Sequence, residues 1–281
     1  MIYVDGRILP KEEAVVSVYD HGLLYGDGIF EGIRIYSGKV FRLTEHLERL
    51  YEGARVIMLA IPMSQEEMKQ AVLDTVAASE KRNGYIRLVV TRGKGALGIS
   101  PDTCPKPSVI IIVDDIQLYP EEYYEKGIKV MTAATRRNTV DSLDPRVKSL
   151  NYLNNILAKM EAQRGGCLEA VMLDRHGYVT ECTGDNIFIV KRGMVITPSV
   201  TRGALDGITR GIIIKLAAEG GIPVREGDIA LFDLYTADEC FLTGTGAEMI
   251  PVAEIDGRTV GDGRPGPVTL RLREMFRKEI A

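Results

Sequence analysis

Apolar residues recur along the chain at two spacings, which together predict strands and helices. In the first part, short runs rich in β-branched residues and bounded by turn residues indicate strands at IYVDGRIL, KVFRL, IRLVVTR and SVIIIVD. Apolar positions three and four residues apart indicate helices at TEHLERLYEGARVIM and SQEEMKQAVLDTVAAS, and the second helix opens with a capping box from Ser64 to Glu67. Strands and helices grouped in this way predict an α+β fold.

The second part of the chain repeats both patterns after a polar interval. Strands are predicted at IKVMTAA, EAVML, NIFIV, MVIT and ECFLTG, and a helix at TRGIIIKLAAEGG. The interval IQLYPEEYYEKG is rich in tyrosine and has no clear period, which is typical of a connection between domains. The 281 residues are enough for two domains. We predict a first domain, a connection and a second domain over residues 1–118, 119–127 and 128–281.

One further predicted helix lies in the stretch DPRVKSLNYLNNILAKMEA, and a lysine precedes it. Its leucines and methionine recur at helical spacing, so we expect this stripe to face a core: Leu150, Leu153, Leu157 and Met160. Lys148 lies just ahead, after an Asp-Pro turn. A lysine in such a position is usually exposed, but a partly desolvated lysine binds its proton less tightly, and the free amine can form an imine with a carbonyl. Spacing alone leaves both interpretations open.

Charge and cysteine usage exclude several classes of protein. The formal net charge is −4, and a surface that binds a phosphate backbone usually carries a basic stripe, so we expect no nucleic-acid partner. The four cysteines are scattered without a CxxC pair, which predicts free thiols and no metal site. The N-terminus lacks a basic and then apolar signal, and no apolar stretch is long enough to span a bilayer. These features predict a cytoplasmic protein without a membrane partner.

Three short motifs are candidates for binding phosphate. GKGALG matches the dinucleotide fingerprint GxGxxG, but three prolines in ISPDTCPKPS follow it, so we favour a glycine-rich turn bordering a site. GALDGITRG predicts a helix start with Thr209 as the N-cap and outward amides at Ile208 and Thr209. FLTGTGAEMIP ends a strand in a small nest of amides and hydroxyls that includes Thr245. Alone, each of the last two motifs also fits an ordinary cap or turn.

Six segments occur together in one order. They are SVYDHGLLYGDGIFEGIRIYSGKVFRLTEHLERL, YIRLVVTRGKGALGIS, DPRVKSLNYLNNILAKMEA, GYVTECTGDNIFIV, GALDGITR and FLTGTGAEMIPV. From residue 2 to about residue 275 the chain resembles the class IV, fold type IV aminotransferases, which use pyridoxal 5′-phosphate, and within them the branched-chain amino acid aminotransferases. The resemblance implies the two-domain fold of the D-amino acid aminotransferase type. Its small N-terminal domain is α/β, and its larger C-terminal domain has a β-barrel-like sheet.

The resemblance assigns roles around the cofactor ring. Lys148 matches the lysine that holds the cofactor as an internal aldimine and moves a proton between the substrate Cα and the cofactor C4′. Glu181 matches the carboxylate that pairs with the pyridine nitrogen, which lets the ring act as an electron sink. Tyr152 is similar to the tyrosine whose hydroxyl meets the phenolic oxygen of the cofactor.

The same resemblance assigns the cofactor phosphate and the substrate. For the phosphate it implies the side chain of Arg49, the helix start at Ile208 and Thr209, and the hydroxyl of Thr245. For the substrate α-carboxylate it implies Tyr85 and the amides of Thr245 and Gly246. Four further residues match positions in the wall of the pocket, and two of them, Tyr25 and Ile99, reach in from a neighbouring subunit of a homodimer: Tyr25, Phe30, Arg87 and Ile99. Assembly beyond the dimer stays open.

Three activities share this machinery. The absence of histidine from TRGKGALGIS, together with the YIR triplet and the GxLG loop, favours transamination of L-leucine, L-isoleucine or L-valine. The expected acceptor is 2-oxoglutarate, the expected products are branched 2-oxo acids and L-glutamate, and the expected kinetics are ping-pong. The KSLN sequence and the lack of tryptophan keep a D-amino acid aminotransferase as the alternative. An aminodeoxychorismate lyase is the third.

Overall fold

The computed structural model describes residues 1–116 and 119–281. These residues form two compact units. The first unit contains residues 1–116 together with Val147–Asn151, and the second contains residues 119–146 together with Tyr152–Ala281. The predicted domain limit at Leu118 lies outside the described residues.

The first unit is an antiparallel sheet with two long helices. Its elements in chain order are β1 (Ile2–Val4), β2 (Arg7–Leu9), α1 (His21–Tyr25), β3 (Gly28–Tyr36), β4 (Lys39–Val40), α2 (Leu43–Val56), α3 (Gln65–Ser79), β5 (Gly84–Thr91) and β6 (Ser108–Asp114). The strand order is β2-β1-β6-β5-β3-β4. The leucine face of α2 packs on this sheet, as its spacing predicts, and the capping box of α3 between Ser64 and Glu67 is confirmed.

The segment that holds Lys148 pairs with β3 of the first unit. Strand β4 covers only the Ile35–Tyr36 end of one edge of β3, and Ser149 forms an antiparallel bridge with Ile29 further along the strand. The amide of Phe30 donates to the carbonyl of Lys148 at 2.9 Å, and the amide of Leu150 donates to the carbonyl of Gly28 at 2.9 Å. These two hydrogen bonds fix the backbone on both sides of the lysine side chain.

The second unit is a mixed sheet with helices. Its elements are α4 (Glu121–Lys126), β7 (Ile128–Thr132), α5 (Leu153–Arg164), β8 (Glu169–Leu173), β9 (Val179–Cys182), β10 (Asn186–Lys191), β11 (Met194–Thr197), α6 (Ile208–Glu219), β12 (Val224–Glu226), α7 (Leu231–Tyr235), β13 (Glu239–Gly244), β14 (Glu248–Ile255), β15 (Arg258–Thr259) and α8 (Pro267–Glu279). The strand order is β12-β11-β10-β13-β14-β7-β8-β9, with β15 on β14. Parallel pairs, such as β7 with β8, alternate with antiparallel ones, so the fold is α+β as predicted.

The prediction that the apolar stripe of α5 faces a core is wrong. Leu153 is 67 % exposed, Leu157 46 % and Met160 42 %, whereas the buried positions are the small or polar residues Asn155, Ala158 and Ala162. The alanines let the helix approach β8 closely, so the large side chains are left on the outer face. An apolar stripe therefore identified one face of this helix but not what covers it.

Two other regions depart from a simple reading of the sequence. The interval predicted as a connection contains α4, whose tyrosines Tyr123 and Tyr124 pack against the core of the second unit. After β5, the described residues before β6 form a 3-10 turn at Pro101–Thr103 and no α-helix, and β6 runs antiparallel to β5. A dinucleotide site at GKGALG is excluded, because it requires a helix at that point. Among the described residues, no helix is long and apolar enough to cross a membrane.

Candidate active site

Lys148 lies against an aromatic ring of the first unit. Its Nζ is 4.6 Å from the centroid of the Phe30 ring, and the side chain of Lys148 is half-buried. The guanidinium carbon of Arg87 is 4.5 Å from the same centroid. Phe30 itself is only 7 % exposed, so its ring is a fixed apolar surface on which two cations rest. The amine of Lys148 is thereby held at a defined position.

Tyr85 and Arg87 lie two residues apart on β5, so both point to the same face of the sheet. The Arg87 guanidinium carbon is 5.5 Å from the centroid of the Tyr85 ring. A Cβ added at Gly32 would lie 1.7 Å from the Tyr85 hydroxyl oxygen, which means that the tyrosine occupies the space above this glycine. The first unit thus brings together Lys148 and three of the residues predicted for the substrate pocket: Phe30, Tyr85 and Arg87.

Arg49 is held by a buried carboxylate on β3. Its Nε and Nη2 donate to the two oxygens of Glu31, each at 2.8 Å, and Nδ1 of His46 lies 2.7 Å from Oε2. Burial of Glu31 acts to raise its pKa, but the charge of Arg49 and the hydrogen bonds from His46 and Arg49 outweigh burial and lower the pKa to about 2. Glu31 is therefore ionised. Sequence reasoning missed Glu31 and His46, although a glutamate inside the apolar strand GIFEGIRIY was a visible signal.

Glu181 is held by two groups of the second unit. Arg137 Nε donates to Oε1 at 2.7 Å, and the amide of Leu205 donates to Oε2 at 2.9 Å. The side chains of Arg137 and Glu181 are each 6 % exposed. Arg137 Nη1 also donates to Asn154 Oδ1 on α5 at 3.3 Å. Arg137 was not predicted from the sequence, because its partner is 44 residues away along the chain.

The two predicted phosphate turns lie side by side in the second unit. In the register of β10 with β13, Asn186 pairs with Thr243, directly before the turn that contains Thr245 and Gly246. The Nδ2 of Asn186 donates to the carbonyl of Leu205 at 2.8 Å, and a Cβ added at Gly207 would lie 2.1 Å from its Oδ1. Asn186 thus brings the end of β13 next to the start of α6. Backbone amides and the positive end of a helix dipole meet there, which suits an anion.

The prediction of Thr209 as the N-cap of α6 is wrong in detail. The N-cap is Gly207, in an extended conformation with φ −70° and ψ 135°, and no described side chain caps the helix. Thr209 is the second helical residue and is buried, next to the first residue, Ile208. The first amides of the helix are therefore not occupied by a capping side chain, which keeps them suitable as donors to a phosphate.

The remaining predicted residues lie at the borders of these groups. Tyr152 is the half-buried residue directly before α5 in the second unit. In the first unit the hydroxyl of Tyr25 accepts from the amide of Gly98 at 2.8 Å, and the ring of Tyr25 packs edge-on against His21 at 4.9 Å. Tyr25 is 38 % exposed and Ile99 85 % exposed. The structure therefore does not bring these two residues into the cluster around Phe30.

The two groups of residues fit a phosphorylated aldehyde cofactor. The first unit supplies an amine and an arginine, and the second supplies a buried carboxylate with two amide-rich turns. The chain matches the family described as Amino-transferase class IV over residues 28–255. The protein therefore belongs to the class IV aminotransferases and is an aminotransferase.

Individual relatives narrow the comparison. The chain is 51 % identical to a putative branched-chain-amino-acid aminotransferase of Methanocaldococcus jannaschii, over 98 % of this chain and 95 % of that protein. It is 40 % identical to a D-alanine aminotransferase of Listeria monocytogenes, over 99 % of this chain and 96 % of that protein. A solved branched-chain amino acid aminotransferase from the source abbreviated T.th., complexed with N-(5′-phosphopyridoxyl)-L-glutamate, superposes with a TM-score of 0.94 at 37 % identity, covering 99 % of this chain and 93 % of that one. The same enzyme was also solved with pyridoxamine 5′-phosphate, at a TM-score of 0.95, 38 % identity and the same coverage.

Proposed function

We propose that the protein uses pyridoxal 5′-phosphate to transfer the amino group of L-leucine, L-isoleucine or L-valine to 2-oxoglutarate, with ping-pong kinetics. The observation that carries the proposal is the half-buried amine of Lys148 on the Phe30 ring, next to Arg87 and Tyr85. An amine held in this way suits covalent capture of a carbonyl. The similarity to branched-chain aminotransferases, one of them solved with a conjugate of L-glutamate, supports the substrate class.

The cofactor would be held by residues of both units. When bound, pyridoxal phosphate supplies an aldehyde for the amino group and a ring that accepts electrons. Glu181 accepts a hydrogen bond from the ring nitrogen, since each of its oxygens can accept more than the one bond it already has. Tyr152 donates to the phenolic oxygen. The phosphate is bound by Arg49, by the α6 start at Ile208 and Thr209, and by the hydroxyl of Thr245.

Proton transfer would be the task of Lys148. Its amine takes the proton from the substrate Cα and returns a proton at the cofactor C4′. The backbone pairing with β3 fixes the origin of this side chain, and the Phe30 ring limits where the amine can move. Positioning of this kind reduces the entropy that must be lost in the transition state.

The substrate would be oriented by its carboxylate groups. Tyr85 and the amides of Thr245 and Gly246 bind the α-carboxylate. Arg87 lies two positions from Tyr85 on the same strand face and binds the second carboxylate of 2-oxoglutarate. Phe30 provides an apolar wall for a branched side chain. Arg87 and Phe30 together let one pocket accept both an aliphatic and an acidic substrate.

A homodimer would complete the pocket, with Tyr25 and Ile99 supplied by the neighbouring subunit. Both residues are exposed, as are Leu23, Leu24 and Leu97 nearby in the sequence. The outer face of α5, at Leu153, Ile156, Leu157 and Met160, is a second apolar surface on the chain. Large exposed apolar surfaces are typical of contacts between proteins. The four free cysteines agree with a proposed cytoplasmic location.

A D-amino acid aminotransferase is the second candidate, because the Listeria relative covers 99 % of the chain at 40 % identity. The experiment is to load the purified protein with pyridoxal phosphate and to add L-leucine, L-valine, D-alanine or D-glutamate separately. We expect the two L-amino acids alone to convert the absorbance of the lysine-bound cofactor, and L-leucine with 2-oxoglutarate to yield L-glutamate. Conversion by D-alanine and D-glutamate alone would establish the second candidate instead. A protein that gives no such absorbance after added pyridoxal phosphate would contradict the cofactor assignment.

A Lys148→Ala variant is the matched control. It should fold but lose the absorbance of the lysine-bound cofactor and nearly all turnover, because another amine is not held at that position. Its fold is checked by circular dichroism. Multiple turnovers in this variant would remove Lys148 from the proposed role.

A further inference from the structure

We propose that Glu31, together with His46, is a positioning residue that sets the guanidinium of Arg49 for the cofactor phosphate. The inference rests on the proposed function, since it assigns an indirect role in binding the proposed cofactor. Neither residue belongs to the predicted site. What carries the inference is that the predicted phosphate ligand is the partner of a buried, bidentate carboxylate.

The first step concerns the anchor. Glu31 lies in the middle part of β3, is fully buried, and its neighbours on the strand pair with β5, so it has little freedom to move. Arg49 projects from α2, and its side chain is 11 % exposed. Two of the five N–H donors of the guanidinium are committed to Glu31 in a fork, which fixes both the position and the plane of the group.

The second step concerns His46, which lies three residues before Arg49 on α2 and therefore on the same face of the helix. Its Nδ1 is 2.7 Å from Glu31 Oε2, the oxygen that also accepts from Arg49 Nη2. Among the described residues, Nε2 of this buried ring has no hydrogen-bond partner. The arrangement suits a neutral ring that donates its Nδ1 proton to the carboxylate and leaves Nε2 without a proton. His46 thus fixes the rotation of the Glu31 carboxylate.

The third step is the consequence for binding. A free arginine side chain loses conformational entropy when it binds a phosphate, whereas one already held by a carboxylate loses little. Removing the anchor should therefore weaken the grip on a phosphate group while leaving contacts to the rest of the cofactor intact. A purely structural role of Glu31 would weaken both equally.

The experiment compares two probes that differ only in the phosphate. Apoproteins of the wild type and of Glu31→Gln are titrated with pyridoxal 5′-phosphate and with pyridoxal, and binding is followed by absorbance. In Glu31→Gln we expect the affinity for pyridoxal phosphate to fall by about tenfold or more, as for the loss of a hydrogen bond to a charged group, and the affinity for pyridoxal to stay within about twofold. Glu48→Gln, an exposed glutamate on the same helix, should change neither affinity.

Further variants separate the outcomes. His46→Leu should show a smaller loss of the same kind, and His46→Asn, whose amide can donate in place of Nδ1, should restore the affinity. Equal losses for both probes in Glu31→Gln would overturn the inference, and if that variant does not fold, the two His46 variants decide by the same criterion. In an Arg49→Lys background Glu31→Gln should have little further effect. If the wild type itself bound pyridoxal phosphate no better than pyridoxal, the proposed function would fail before the role of Glu31 was in question.

Discussion

Replacing Arg137 by methionine should strongly destabilise the second unit. The change keeps an unbranched side chain but removes the cation that lies 2.7 Å from Glu181 Oε1. Because both side chains are 6 % exposed, water cannot replace the lost partner without rearrangement. The Leu205 amide, 2.9 Å from the other carboxylate oxygen, stays in place but carries no full charge.

The magnitude follows from the burial of this pair. Removing one partner of a buried ion pair costs about 3–5 kcal/mol, because it leaves an uncompensated charge. For a folding unit of about 150–250 residues, each kcal/mol lowers the melting temperature by about 2–4 °C, so we expect a fall of roughly 6–20 °C. The double variant Arg137→Met with Glu181→Leu removes both charges and should recover most of the loss, since apolar replacements of a buried pair are often nearly neutral.

The assay is urea unfolding of the apoprotein at neutral pH, followed by far-ultraviolet circular dichroism. Arg175→Met is the matched control, because Arg175 is 64 % exposed and its pair with Asp141 should contribute less than about 1 kcal/mol. A loss below about 1 kcal/mol in Arg137→Met would refute the reasoning. So would a double variant that is no more stable than the single one.

Three further predictions concern other parts of the chain. Gly32→Ala would place a methyl group 1.7 Å from the Tyr85 hydroxyl and should raise the KM for amino acids about tenfold, as measured by steady-state kinetics; Gly53→Ala, where the methyl finds ordinary contact distances inside α2, should instead stabilise the protein to urea by about 0.5–1 kcal/mol, and an unchanged KM in Gly32→Ala would count against Tyr85. The pKa of Glu31 is lowered from 4.5 to about 2, so its ionisation contributes about 3 kcal/mol that is fully present above about pH 4.5 and is lost as the pH falls towards about 2. Unfolding free energies measured across this range should depend less on pH in Glu31→Gln, and equal slopes in both proteins would contradict the assignment. Leu157→Asp on the exposed face of α5 should convert dimers to monomers in sedimentation, whereas an unchanged mass would exclude this face from the interface.

Local patterns in the sequence predicted much of the first unit. The capping box of α3 and the leucine face of α2 depend on residues within one or two turns of each other, so their spacing contains the information. The α8 helix was not predicted. It begins at Pro267 after Gly266, without a capping side chain of its own, and its first amides are bound by Glu239 of β13, which gives no local signal near the helix.

The candidate site shows the same division. Lys148 and Glu181 were identified because six motifs recur in a familiar order, not because their surroundings could be read from spacing. The groups that hold the site residues, Glu31 for Arg49 and Arg137 for Glu181, were missed. Buried ion pairs join residues that are distant in sequence, and a single chain gives no sign of which charged residues will meet. The outward face of α5 was misjudged for a related reason, since burial depends on what the small residues of the other face allow.

The pairing of Val147–Asn151 with β3 has a consequence for dividing this protein into fragments. The first unit is not contiguous in the sequence, because the chain returns to it for five residues after it has already begun the second unit. A gene fragment that ended at residue 116 would encode an incomplete sheet, with part of the β3 edge unpaired and open to aggregation. The reactive lysine would be left on the other fragment. Any attempt to express, permute or exchange the two units separately must therefore include this short strand with the first one.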